Sequence, residues 1–263
     1  GLYARLWADD AHPIPEVPPS DDTVLAPPAM WAGAAAVLAP FADDLRGQLT
    51  LPLAAGRTRR DLLCWAAVAH DWGKPAKRTV EADTGKVRFF DHDHWGALLA
   101  EARLLALKFS ADEVAYVARL TDLHMRPGEL THQYPFSRRA QYRFFRAADN
   151  TGPDVVLLSL ADYMATLAKI LTETPDAPEA ERWQVRLKTA RDLFDAYFNH
   201  RAEQVSPPPL LNGKQVMAAL DIAPGPLVGE LLDGLREAQA AGEVLTEEQT
   251  WAWVREQALT KLA

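Results

Sequence analysis

The sequence predicts an all-α fold, and three observations carry that expectation. Apolar residues recur at spacings of three and four through most of the chain. The pairs Ser110/Glu113 and Thr246/Gln249 have the form of capping boxes that open helices. Clusters of proline and glycine then punctuate the helical stretches.

Taken in order, residues 1–29 form an extended lead-in. Six prolines between residues 9 and 28, interspersed with acids, cannot sustain a helix. Residues 30–53 are Ala- and Leu-rich, with Val37, Leu38, Phe41 and Leu45 at helical spacing, and residues 61–69 form a second, short apolar helix. The polar stretch 79–90, with Gly85 at its middle, is a loop or a small hairpin. Helices resume over 94–107, and again from Ser110 to about residue 123, where Arg126, Pro127 and Gly128 end the run. Residues 137–148 are basic and aromatic, 154–172 apolar, and 177–199 long and amphipathic. Three consecutive prolines, Pro207 to Pro209, cut the chain. They place a domain division there, with a helical body over 30–205 and a small helical subdomain over 206–263 made of helices at 214–220, 226–240 and 246–259.

The chain has 263 residues, 48% hydrophobic and 24% charged, which excludes a disordered or collagenous protein. A single cysteine excludes a disulfide framework, and Cys64, lying in the apolar run 62–68, reads as a core side chain. No uninterrupted apolar run reaches the roughly 18 residues that cross a bilayer, so the expectation is a soluble, cytoplasmic protein with no membrane partner. With 36 acidic against 28 basic residues, any nucleic-acid contact has to be a local basic patch.

The chemistry-bearing residues fall where apolar sequence meets a polar group. His70 and Asp71 follow Val68 and Ala69, His92 follows Phe89 to Asp91, His124 ends the helix begun at Ser110, and Asp162 interrupts an apolar helix. An aspartate in such a helix is costly unless paired, hydrogen-bonded or metal-bound. Imidazole with carboxylate is the donor set of Mn, Fe, Co, Ni or Zn, and a carboxylate-rich version holds Mg. Adjacent His and Asp cannot share one helix face, but at a helix end the turning chain can bring both to one ion. The plainer alternative is that these polar groups only tie helices together. His12, His132 and His200 read as solvated surface residues, and His94 as either a supporting group or an exposed helix start.

The strings Ala69-His70-Asp71-Trp72-Gly73-Lys74-Pro75, Arg88-Phe89-Phe90-Asp91-His92, His124-Met125-Arg126-Pro127 and Ser159-Leu160-Ala161-Asp162 resemble the HD superfamily of metal-dependent phosphohydrolases. More narrowly they resemble the HD region of bacterial CCA-adding enzymes and poly(A) polymerases. The tail is similar too, through Pro207 to Gly213, Pro224-Gly225-Pro226, Gly229 to Leu232 and Gly242 to Val244. The resemblance implies an HD-type helical bundle binding a divalent metal ion through His70, Asp71, His92, His124 and Asp162. It also implies phosphohydrolase action on phosphoesters of nucleotides or RNA ends, including tRNA, with Asp71 in a catalytic role; by their position, Lys74 just past the dyad and Arg126 beside His124 are candidates to bind the phosphate. Lys74 and Arg126 read equally well as surface charges. The superfamily usually begins with a histidine on the preceding helix, where residues 28–36 here have none. The nucleotide-adding head of the family has no counterpart either, so nucleotidyl transfer is not expected of this chain alone. With no Met at position 1, the expectation is a piece of a longer protein.

Arg139, Arg143 and Arg146 share a helix face, with Arg138 beside them and Tyr142, Phe144 and Phe145 interleaved. The stripe either follows an RNA backbone, Tyr142 stacking on a base, or is a solvated face with salt bridges. It supports the alternative function of a non-catalytic tRNA-binding body.

Overall fold

The structure, a computed structural model, describes residues 26–54 and 56–262. It is all-α apart from two minimal hairpins, and the chain forms two compact units. The first gathers residues up to Tyr134 together with Ala148–Phe194, and the second gathers Pro135–Ala147 with Asp195–Ala263. The three prolines at 207–209 therefore lie within the second unit and do not mark its edge. Proline stops a helix there, but the short helical turn before it, Arg201–Val205, already belongs to the same unit.

In the first unit, α1 (Pro28–Leu38) leads through a 3₁₀ turn into α2 (Ala42–Leu49). Most of the Pro-rich lead-in lies outside the described residues, and its end at Pro28 is already helical, since proline suits the first helical position, where its missing N–H costs nothing. Strands β1 (Pro52–Ala54) and β2 (Arg57–Thr58) form a hairpin that the sequence reading missed, being too short for a period-2 pattern. A capping box between Thr58 and Asp61 opens α3 (Arg59–Ala69), and the four-residue α4 (Lys74–Lys77) follows. Of the two readings of 79–90, a loop or a small hairpin, the structure has the hairpin: β3 (Thr79–Val80) pairs with β4 (Val87–Arg88), with Gly85 at φ 66°. Helix α5 (His92–Ala106) packs antiparallel-neighbour fashion on α6 (Ala111–Leu123), which the predicted Ser110/Glu113 box caps, and α7 (Arg126–Thr131) is a short sequel.

The apolar α9 (Gly152–Glu173), which follows the α8 described below, runs against α3, α6 and α7, and α10 (Pro178–Phe198) completes the first unit with its residues up to Phe194. Leu45, Leu62, Leu104, Leu120, Leu160 and Leu193 are fully buried in this core. The buried face of α3 is Arg59, Leu62, Leu63, Ala66 and Ala69. Cys64 falls on the opposite side and is exposed, so its reading as a core residue is corrected: apolar neighbours in sequence do not fix which way a helical side chain points.

Two buried acids of this unit are paired with arginines. Glu113, fully buried, accepts from Arg57 through Nε at 2.5 Å and Nη2 at 2.9 Å, joining β2 to the first turn of α6. Asp154 accepts from Gln48 at 3.1 Å and from Arg59 Nη1 at 3.2 Å.

The second unit holds α8 (Arg138–Ala148), the last turn of α10, α11 (Gly213–Leu220), α12 (Pro226–Ala240) and α13 (Glu247–Leu262). Val216, Leu231, Leu235 and Val254 form its centre. The predicted Thr246/Gln249 box is made in both directions, at 3.1 and 3.2 Å. Among the described residues the segment 138–173 is long and apolar enough to cross a membrane, but 56% of its most apolar window is buried inside the protein, as in a core helix.

Candidate metal centre

Four helix ends or interiors of the first unit converge on one polar cluster. His70 caps the end of α3, where the chain turns through Asp71 to Gly73, so the two neighbouring side chains reach the same point. His92 is the first residue of α5, His124 caps the end of α6, and Asp162 projects from the interior of α9. One close approach makes this possible. A Cβ on Gly73 would lie 2.0 Å from the His92 carbonyl oxygen and 2.7 Å from the Gly96 amide nitrogen, so only glycine lets the turn rest on the start of α5.

The three imidazoles are oriented alike. Nδ1 of His70 lies 2.8 Å from the Ala67 carbonyl, Nδ1 of His92 2.8 Å from that of Phe89, and Nδ1 of His124 2.7 Å from that of Thr121. A carbonyl only accepts, so each Nδ1 carries a proton and each Nε2 is the nitrogen aimed at the cluster. His70 Nε2 lies 3.3 Å from Asp71 Oδ2 and 3.4 Å from Asp162 Oδ1, and His92 Nε2 lies 3.6 Å from Asp71 Oδ1. The His124 ring stands edge-on to both other imidazoles, at centroid distances of 5.1 and 5.3 Å.

These separations suit ligands facing a shared ion better than partners bonded to each other. His70 Nε2, Asp71 Oδ1, His92 Nε2 and His124 Nε2 are all buried without a hydrogen-bond partner. Leaving even one such atom unpaired costs about 1–3 kcal/mol, and four of them at one point form a cradle for a cation. Ligand atoms of Asp71, His92 and His124 lie within 4.8 Å of one another, and these three residues are positioned to hold a divalent metal ion.

The electrostatics agree with the geometry. Burial disfavours charge on His70, yet Asp162, Asp71 and the Ala67 carbonyl outweigh it and raise its imidazole to about 10, so the cluster draws in positive charge: without an ion it is a proton on His70, which metal binding there would have to displace. Burial likewise works against the Asp71 carboxylate, but His70 and Lys74 hold it well below the usual range. Burial lowers His124, with His70 adding to the effect, which favours the neutral imidazole that a metal requires.

The cluster opens into a cavity of about 610 Å³ lined by Asp71, His92, His124 and Asp162 among others. Lys74 lines it as well, but its ammonium donates to Asp71 Oδ2 at 2.7 Å, so it holds a ligand carboxylate in place. Arg126, the first residue of α7, is outside the cavity lining, more than half exposed and 3.9 Å from Glu129, so the turn after α6 carries it away from the phosphate-facing position expected of it. Arg186 lines the cavity in its place, a residue that the sequence reading passed over because it sits in an ordinary amphipathic helix far along the chain. His132 is at the cavity's exposed edge, and His94 is exposed beside Asp122.

The arginine stripe lies elsewhere, in the second unit. Arg139 donates to Glu237 at 2.7 Å and to Glu243 at 2.6 Å, Arg143 to Glu237 at 2.7 Å, and Arg146 to Asp233 at 2.7 Å. Tyr142 is buried at 6% exposure and offers no open ring to a base, a correction to its stacking role. Residues 138–148 turn their aromatic face into the core and tie their basic face to α12.

A helical body whose helix ends bring histidines and an aspartate around one ion site defines an HD-type metal-binding protein. The HD domain family model matches residues 32–167, and the chain belongs to that family. It is 37% identical over 194 residues to the A-adding tRNA nucleotidyltransferase of Deinococcus radiodurans, an alignment covering 74% of this chain and 41% of that protein. It is 36% identical over 189 residues to the CC-adding tRNA nucleotidyltransferase of Thermus thermophilus, covering 72% of this chain and 38% of that protein. The chain thus spans about two fifths of the length of the curated relatives it matches.

Proposed function

We propose that this chain is the metal-dependent, HD-type phosphohydrolase-like module of a tRNA nucleotidyltransferase-like protein, acting on phosphoesters of nucleotides or RNA ends. The observation that carries this is the convergence of four buried, unpartnered donor atoms at His70, Asp71, His92 and His124 beside an open cavity. His70 and Asp162 join Asp71, His92 and His124 as ligands in this reading, supported by the 3.4 Å approach of His70 Nε2 to Asp162. Five ligands offset the histidine that residues 28–36 do not supply.

A bound divalent ion supplies Lewis-acid polarisation of a phosphoryl oxygen and acidifies water. The chain's own residues do the rest. The backbone carbonyls of Ala67, Phe89 and Thr121 fix the imidazole tautomers, Lys74 holds Asp71, and the cavity admits the phosphoester. RNA, including tRNA, is the proposed partner on the strength of the relatives, and the cytoplasm is the proposed location. The ion-paired arginine stripe does not add to that case.

The test is turnover of bis(p-nitrophenyl) phosphate with Mn, Ni or Mg added. Hydrolysis that needs the metal and disappears in Asp71→Asn supports the reading. No turnover with any of the three ions, in protein that binds metal, contradicts it.

A further inference from the structure

Three cationic side chains line the cavity beside the metal cluster, and two are already neutralised. Lys74 Nζ lies 2.7 Å from Asp71, and Arg88 Nε lies 2.7 Å from Glu81. The third, Arg186 on α10, has no carboxylate within ion-pair distance among the described residues, and its Nε is buried without a hydrogen-bond partner. Its hydrogen bond from Nη1 to Ser159 Oγ, at 3.5 Å, is at the outer limit of such a contact, and its other polar neighbours are Tyr163 and, beyond ion-pair distance, Asp162.

The guanidinium is nevertheless held in place. It lies over the Tyr163 ring, 4.0 Å from the centroid, and Tyr163 is itself stacked on buried Trp183. Gly128 of α7 also lies against it, where a Cβ would fall 2.6 Å from Nη1 and 3.0 Å from Nη2. A largely desolvated guanidinium whose counter-charge, Asp162, lies beyond ion-pair distance is costly, and an arriving anion offsets that cost. Its planar fork matches two oxygens of one phosphoryl group, a match that an ammonium does not offer.

We propose that Arg186, with Ser159 beside it, forms a phosphoryl-binding subsite next to the metal cluster, taking the anionic oxygens of the phosphoester while the ligands of the cluster face the same group. This assignment rests on the phosphohydrolase reading above for what the subsite is used for. The partial burial of Arg186 and its lack of an ion-paired carboxylate stand independently of it.

The experiment is calorimetric titration of inorganic phosphate into the full chain, in the parent, Arg186→Met and Gly128→Ala, with bound metal measured on the same samples. Gly128→Ala keeps the charge but drives the guanidinium aside, so it separates position from charge. The parent should bind phosphate, and both variants should bind it about tenfold to a hundredfold more weakly, with metal content unchanged. If Arg186→Met does not fold, Arg186→Lys, which keeps the charge and loses the fork, carries the comparison. Equal affinity in parent and Arg186 variant, or no phosphate binding by the parent, overturns the proposal. A metal-free parent whose phosphate binding still depends on Arg186 sinks the phosphohydrolase reading and leaves the subsite standing.

Discussion

Gly73 lies against the His92 carbonyl so closely that a methyl group at position 73 would stand 2.0 Å from its oxygen. This contact sets the distance between the turn that carries Asp71 and the first turn of α5, and with it the spacing of two of the three best-placed metal ligands. Because the opposing atoms are backbone, no side chain can swing away to relieve the overlap.

Gly73→Ala should therefore destabilise the protein by about 3 kcal/mol, the upper part of the range for overpacking, and should lower metal content at the same time. Urea unfolding together with metal analysis checks this. The φ of −75° at Gly73 is one that alanine adopts freely, so a large loss traces to the contact and not to backbone strain.

The buried pair of Arg59 and Asp154 predicts a pH-dependent variant. Burial raises the Asp154 carboxyl from 3.8 to about 6, against the opposing pull of Arg59, Gln48 and Tyr116. With the folded value above the unfolded one, the folded state holds the proton more tightly. Stability from this group is highest at low pH and falls as pH rises from about 3.8 through about 6. Arg59→Met removes the cation that tempers this cost. Its destabilisation should be about 3–5 kcal/mol at pH 8 and clearly smaller at pH 4.5, read by denaturant unfolding at both values. An equal loss at the two pH values would show that Asp154 is not carrying the buried charge.

The arginines of α8 make a structural prediction. Glu237 has a side chain only 12% exposed and accepts from both Arg139 and Arg143. The double variant Arg139→Ala, Arg143→Ala should lower stability by about 1–2 kcal/mol, and Glu237→Gln should reproduce part of that loss. If the arginines serve RNA alone, neither variant will move the melting temperature while tRNA affinity falls.

Much of the fold was legible because helices announce themselves locally. Ser110/Glu113 and Thr246/Gln249 cap where their spacing says they should, and the Asp162 helix is as apolar as its neighbours require. The adjacent His70 and Asp71 were correctly placed at a helix end, where geometry permits both to face one point. What the sequence hid depends on the tertiary arrangement. Cys64 has apolar neighbours but the wrong helical phase for the core. Arg57 and Arg59 belong to a short basic run before a helix, and nothing in that run shows that they answer buried acids on α6 and α9. Arg186 is separated from Asp71 by more than a hundred residues, and only the packed helices bring it to the same cavity. The interleaving of residues 135–147 with the carboxyl-terminal part is another long-range pairing that no local pattern reports.

The central claim is that Asp71, His92 and His124 form a real ion site, and elemental analysis of protein purified without chelator tests it most directly. The expected result is close to one divalent ion per chain in the parent, and strongly reduced occupancy in Asp71→Asn and in His124→Gln with the fold intact by circular dichroism. Metal-free parent protein that stays metal-free after incubation with Mn, Ni or Zn, or occupancy that does not respond to either substitution, would contradict it.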